Sequence, residues 1–117
     1  MSRRPTPLLI DDMIERIERI ERFIAGLERE DFLRDEKTAD SIVRNLEVIG
    51  EAASRLPQEI RKHHVEVPWS RIVGLRHRIV HDYFDVDLDL VWAIVQGELS
   101  PLKAQLRAIQ RTSDLGE

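Results

Sequence analysis

The chain has 117 residues, near the commonest domain size, with 42% hydrophobic and 34% charged residues, so a single globular domain with one modest core is expected rather than a disordered chain. No apolar run approaches the roughly 18 residues needed to span a bilayer, and the lack of cysteine excludes disulfides, thiolate metal sites and cysteine-based catalysis. A net charge of −4 argues against a surface that binds nucleic acid all over, which is usually strongly basic.

The opening Met1-Ser2-Arg3-Arg4-Pro5-Thr6-Pro7 shows no small-residue cleavage site after an apolar segment, so no secretory signal is read and a cytoplasmic location is expected. Residues 1–7 and 112–117 read as flexible ends of the one domain. From Ile10 the apolar residues recur in threes and fours, at Met13, Ile17, Ile20, Ile24 and Leu27, and predict a long amphipathic first helix. Ala39, Ile42, Leu46, Ile49, Ala53 and Leu56 repeat the pattern for a second helix, which Pro57 ends. Pro57 to Lys62 opens a short third helix, and Val67-Pro68-Trp69-Ser70 starts a fourth with proline near its first position. The last helix carries Leu88, Trp92, Val95, Leu99, Leu102, Leu106 and Ile109, with Asp87 or Asp85 as its cap and Pro101 kinking or restarting it. Nothing reads as a strand. The expected class is all-α, an antiparallel bundle of four main helices plus a short one, and its surplus apolar surface on heptad-spaced stripes favours a homodimer.

Charge is unevenly spread. Between Arg61 and His81 stand Arg61, Lys62, Arg71, Arg76 and Arg78, with Glu66 as the one acid, which makes a local basic patch suited to an anionic ligand. His63 and His64 fall in a charged linker and are expected to be exposed, while Trp69 and Trp92 fall on apolar stripes and are expected in the core.

The most informative stretch is Arg76-His77-Arg78-Ile79-Val80-His81-Asp82-Tyr83. It offers a guanidinium to bind phosphate, imidazoles that exchange a proton near neutral pH and a modifiable hydroxyl. On a continuous helical wheel Arg76 lies near the centre of an apolar arc, so it needs a carboxylate, a partner chain or a bound anion, and Glu47 or Glu51 on the second helix is a candidate carboxylate. His81 diverges from Arg76 by about 140° on that wheel. Three arrangements reunite them: a helix that loosens after Val80, a long arginine reaching round, or a meeting across a dimer interface. His77 and His81 also have the i, i+4 spacing of metal ligands, with Asp82 or Asp85 as a third, but no glutamate stands between them and no distant ligand completes a set.

These residues, with Ile49-Gly50-Glu51-Ala52 late in the second helix, Val67-Pro68-Trp69 before the fourth and Val91-Trp92 in the last, resemble the HepT-like toxin family of the HEPN superfamily over roughly residues 8 to 110. The shared element is an R-x4-H-x-Y motif, here Arg76, His81 and Tyr83. One departure is His77, where that branch most often has asparagine after the arginine. The resemblance implies a metal-independent ribonuclease that needs no cofactor and works as a homodimer with its two motifs facing each other. It further implies a partner, a minimal nucleotidyltransferase antitoxin that silences the toxin by transferring AMP to Tyr83. On that view Arg76 holds the RNA phosphate, His81 moves the proton, and His77 and Glu51 are supporting candidates. The competing expectation is a non-catalytic, nucleotide-binding or regulatory subunit of a nucleotidyltransferase, in which Arg76 anchors a ligand or an interface.

Overall fold

A computed structural model describes residues 3–82 and 85–112. The first helix, α1 (Thr6–Ile24), begins one turn before the apolar pattern does. Pro5 precedes it, and Leu9, Ile10, Met13, Ile14, Ile17 and Ile20 turn inward. It ends sooner than the pattern, because Gly26 takes a φ of +81°, a left-handed conformation that side chains resist, and Leu27 donates back to Ile24 O at 2.9 Å.

A short helix follows that the periodicity does not announce, α2 (Arg29–Arg34). It is set by a capping box in which Asp31 Oδ2 accepts from the Glu28 N–H at 2.9 Å. Its one buried residue is Phe32. Helix α3 (Glu36–Ser54) starts where Asp35 accepts from the backbone N–H of Thr38 at 3.1 Å, and it packs along α1 over most of its length. Within that seam Asn45 is buried, accepting from Arg16 Nη1 at 3.0 Å and donating to Ser41 O at 2.7 Å, so its polar atoms are satisfied.

The short third helix of the sequence reading is present as α4 (Gln58–His63). His64, expected to be exposed, is buried just beyond its end: its carbonyl accepts from the Trp69 indole at 2.9 Å, which pulls the linker over the core. Trp69 is buried as expected.

The predicted fourth helix is divided. Helix α5 (Trp69–Val73) and helix α6 (Leu75–Ile79) meet at Gly74. Gly50 explains how α5 lies so close to α3: a β-carbon there would stand 2.8 Å from Ile72 O. After α6, Val80 is extended and forms an isolated antiparallel bridge with Val86. The last predicted helix is also two, α7 (Leu88–Gly97) and α8 (Leu99–Gln110), parted at Glu98 three residues before Pro101. Asp87, and not Asp85, caps α7, accepting from the Leu90 N–H at 3.0 Å.

Glu98 earns its position at the break. Its two oxygens hold Arg78 Nη1 and Nη2 at 3.0 and 2.9 Å, and Arg71 reaches one of them at 3.0 Å. The Arg78 guanidinium, ahead of the lesser pull of Arg71, keeps the Glu98 carboxyl below the usual range. This clasp fastens α5 and α6 to the α7–α8 corner. Trp92 on α7 is half-buried and stacks obliquely on Phe32, with ring centroids 5.3 Å apart, so α2 covers the far side of α7. The fold is all-α, with no strand and no helix long and apolar enough to cross a membrane among the described residues.

Candidate active site

Arg76, His77 and His81 are brought to one shallow cavity of about 370 Å³, walled by Val73, Gly74, Val80 and Asp82. The division of the fourth helix produces this. Helix α6 ends at Ile79, so residues 76 to 81 do not follow one wheel, and the 140° divergence of Arg76 from His81 does not apply. Of the three arrangements open to the sequence, loosening at Val80 is the one adopted. Tyr83 lies outside the described residues.

Arg76 is not in an apolar stripe. Its side chain is 68% exposed, and Nη1 meets Glu47 Oε2 at 2.6 Å. This exposure follows from the break at Gly74, which turns the second residue of α6 toward solvent beside α3. Glu47 is less exposed, at 23%, and so anchors the more exposed guanidinium. Glu51, the other candidate partner, instead binds Arg55 on its own helix at 2.9 Å. It nevertheless lines a second cavity, of about 550 Å³, together with Arg76, Glu47, Arg44 and Arg55. Arg76 therefore stands on the ridge between two concavities.

His81 is placed by backbone first: its N–H donates to Asp85 O at 2.8 Å, while the Asp87 N–H donates to Ile79 O at 2.8 Å. These bonds close the turn and set His81 Nε2 3.4 Å from Asp87 Oδ2. Asp87 thus serves two purposes, one oxygen capping α7 and the other facing the imidazole. The Leu90 N–H chiefly, and His81 after it, hold the Asp87 carboxyl below the usual range, so it is charged at neutral pH. A carboxylate against one ring nitrogen fixes the imidazole's orientation, leaving the other nitrogen for chemistry. The sequence reading saw Asp87 as a cap and missed this second contact; its position six residues from His81 carries no local periodicity that would reveal it.

His77 is exposed on α6 and shares the cavity with His81, but the two are not on one helix, so their spacing does not give the ligand geometry of an i, i+4 pair. No three His, Asp or Glu side chains converge to hold a metal ion among the described residues. An exposed cation and two imidazoles around an open concavity, one imidazole backed by the fixed Asp87 carboxylate, are suited to gripping an anionic oxygen and moving a proton next to it.

A family model described as ribonuclease HepT-like matches residues 13–109. Among similar proteins, one from Thermococcus cleftensis, named "Probable ribonuclease HepT", is 35% identical over 102 residues, covering 87% of this chain and 93% of that relative. Another, from Caldanaerobacter subterraneus subsp. tengcongensis and named "Putative RNase", is 35% identical over 105 residues, covering 90% of this chain and 93% of that protein. No solved structure matches the chain.

Proposed function

The chain belongs to the HepT-like ribonuclease family of the HEPN superfamily, and on that premise we propose that it is a cytoplasmic, metal-independent endoribonuclease acting as a toxin. The observation that carries the reading is the gathering of Arg76, His77 and His81 around one open cavity, with Asp87 behind the imidazole of His81.

RNA brings its own nucleophile, the 2′-hydroxyl beside each phosphodiester. His81 accepts the proton of that hydroxyl as its oxygen attacks phosphorus. Arg76, released in part from Glu47, takes the non-bridging oxygens and stabilises the charge that gathers on them in the pentavalent state. The bond from phosphorus to the 5′-oxygen breaks, and His77 in its protonated form supplies the proton to the departing oxygen. The products are a 2′,3′-cyclic phosphate and a 5′-hydroxyl.

The active form is a homodimer in which two such cavities face one cleft. Exposure of Val73, an apolar residue in the wall of both cavities that flank Arg76, supports an apposed surface there. The cognate partner is a minimal nucleotidyltransferase antitoxin that transfers AMP to Tyr83. Bulk and negative charge two residues from His81 would exclude RNA by sterics and repulsion.

Arg76→Ala and His81→Ala test the assignment. Both positions are exposed, so the circular dichroism spectrum of each variant is expected to match the parent while RNA cleavage falls by on the order of 10² to 10⁴. Parental cleavage by either variant removes that residue from the mechanism.

A further inference from the structure

The two cavities that share Arg76 do not end at α3. Ser54 and Arg55 line the 550 Å³ cavity and also a third, of about 670 Å³, where the chain before α1 meets the end of α3 and the start of α4. This third cavity is lined by Arg3, Arg4, Arg55 and Arg61, and none of its lining residues is acidic. Arg4 is held by Asp12 at its rim and Arg55 by Glu51. Arg3 and Arg61 form no ion pair among the described residues, and Arg61 Nε is buried without an acceptor among them. Four guanidiniums around one hollow repel each other, and a buried donor without an acceptor is costly, so the arrangement suits an anion.

The anion it suits is extended. The middle cavity holds Arg44, without an ion pair among the described residues, at one end and Arg55 at the other, with Glu47 and Glu51 between them engaged by Arg76 and Arg55, so guanidiniums lead from Arg76 past Arg55 to Arg61 and Arg3. Along α3 the step from Glu47, which holds Arg76, to Arg55 is eight residues, about 12 Å. A free phosphate or mononucleotide fills one of these hollows, whereas a polyanion neutralises the row.

We infer that the Arg3, Arg4, Arg55 and Arg61 cavity is a phosphate subsite for single-stranded RNA, reached by a strand that runs from the scissile phosphate at Arg76 across α3. The inference rests on the Arg76 and His81 site being a ribonuclease centre. The subsite binds backbone and not bases, so it extends affinity without sequence preference.

Binding of a long single-stranded RNA over a salt series, and cleavage of a dinucleotide, separate the two claims. The Arg3→Gln/Arg61→Gln double variant is expected to bind the long RNA on the order of tenfold more weakly and to lower the slope of log affinity against log salt by about 1.4, about 0.7 for each lost phosphate contact. Its turnover of the dinucleotide, which is too short to reach α4, stays at the parental rate. Arg61→Lys, which keeps the charge, retains most of the slope. Arg3 is exposed, so Arg3→Gln alone, with a slope lowered by about 0.7, serves where the Arg61 change unfolds the chain. A parent that cleaves RNA alongside variants with parental affinity and slope overturns the subsite and leaves the ribonuclease standing. A parent that neither binds nor cleaves RNA overturns both.

Discussion

In the proposed mechanism His81 is oriented by Asp87, whose Oδ2 lies 3.4 Å from its Nε2. With Asp87→Asn the cap on α7 persists, because asparagine also accepts from the backbone, but the charge facing the imidazole is gone. Turnover is expected to fall by on the order of tenfold or more with KM little changed, since orientation of the proton carrier matters chiefly in the transition state. The pH dependence has a definite sign. The carboxyl is lowered in the folded protein, so its stabilisation is complete above the ordinary carboxylate range and is lost as pH falls through the lowered value. The parent should therefore melt above Asp87→Asn at neutral pH, with the gap closing on acidification; a gap constant with pH would mean that the charge contributes nothing. The residues of the motif were legible in the sequence because they are contiguous. Glu47 was legible as one of two carboxylates for Arg76, but the choice between them, and the contact of Asp87 with His81, depend on where α6 stops and how α3 lies beside it.

At the scale of the element, one glycine sets where the site can form. Gly50 lets α3 approach the carbonyl of Ile72, and that approach brings Glu47 and Arg76 together. Gly50→Ala forces a β-carbon to 2.8 Å from backbone oxygen, so α5 must shift. A loss of about 1–3 kcal/mol in urea unfolding is expected, with RNA cleavage reduced beyond what the unfolded fraction explains. Parental stability would show that the contact relaxes at no cost. The long amphipathic helices were plain in the sequence, because Ile10 to Ile24 and Ala39 to Ala53 keep a period of three and four on one buried face. The division of the last helix was legible from Pro101, which stands in the first turn of α8, but its place at Glu98 was not, and the break at Gly74 was not legible at all. Apolar periodicity runs straight through Gly74 and Glu98, and the ends there are set by tertiary contacts: α5 seated on Gly50, and the Arg78 and Arg71 clasp on Glu98. Helix α2 has no sequence signature of this kind, because one buried aromatic in a charged segment has no period to detect.

At the scale of the whole molecule, the acidic body and basic face divide the work. Glu18 and Glu21 on α1 hold Lys103 and Arg107 on α8, and Arg29 holds Asp89, so many charges far from the motif are spent internally. Near the motif Arg78 is likewise taken up by Glu98, whereas Arg76 is 68% exposed and Arg44 forms no ion pair among the described residues, which leaves these two accessible to an anion. The proposed dimer places two such faces together. Sedimentation equilibrium is expected to give twice the chain's 13.7 kDa, and Val73→Glu, in the wall shared by both cavities at Arg76, is expected to shift it toward monomer and reduce cleavage together. Full activity from a monomeric Val73→Glu would refute a cleft shared between subunits.

The measurement that bears most directly on the proposed function is cleavage of end-labelled RNA in excess EDTA by the parent and by identically prepared His81→Ala, with the product ends determined. Cutting by the parent that leaves 2′,3′-cyclic phosphate and 5′-hydroxyl ends, and that disappears in His81→Ala, is the predicted result. Cutting that EDTA abolishes, or that persists undiminished in the variant, contradicts it.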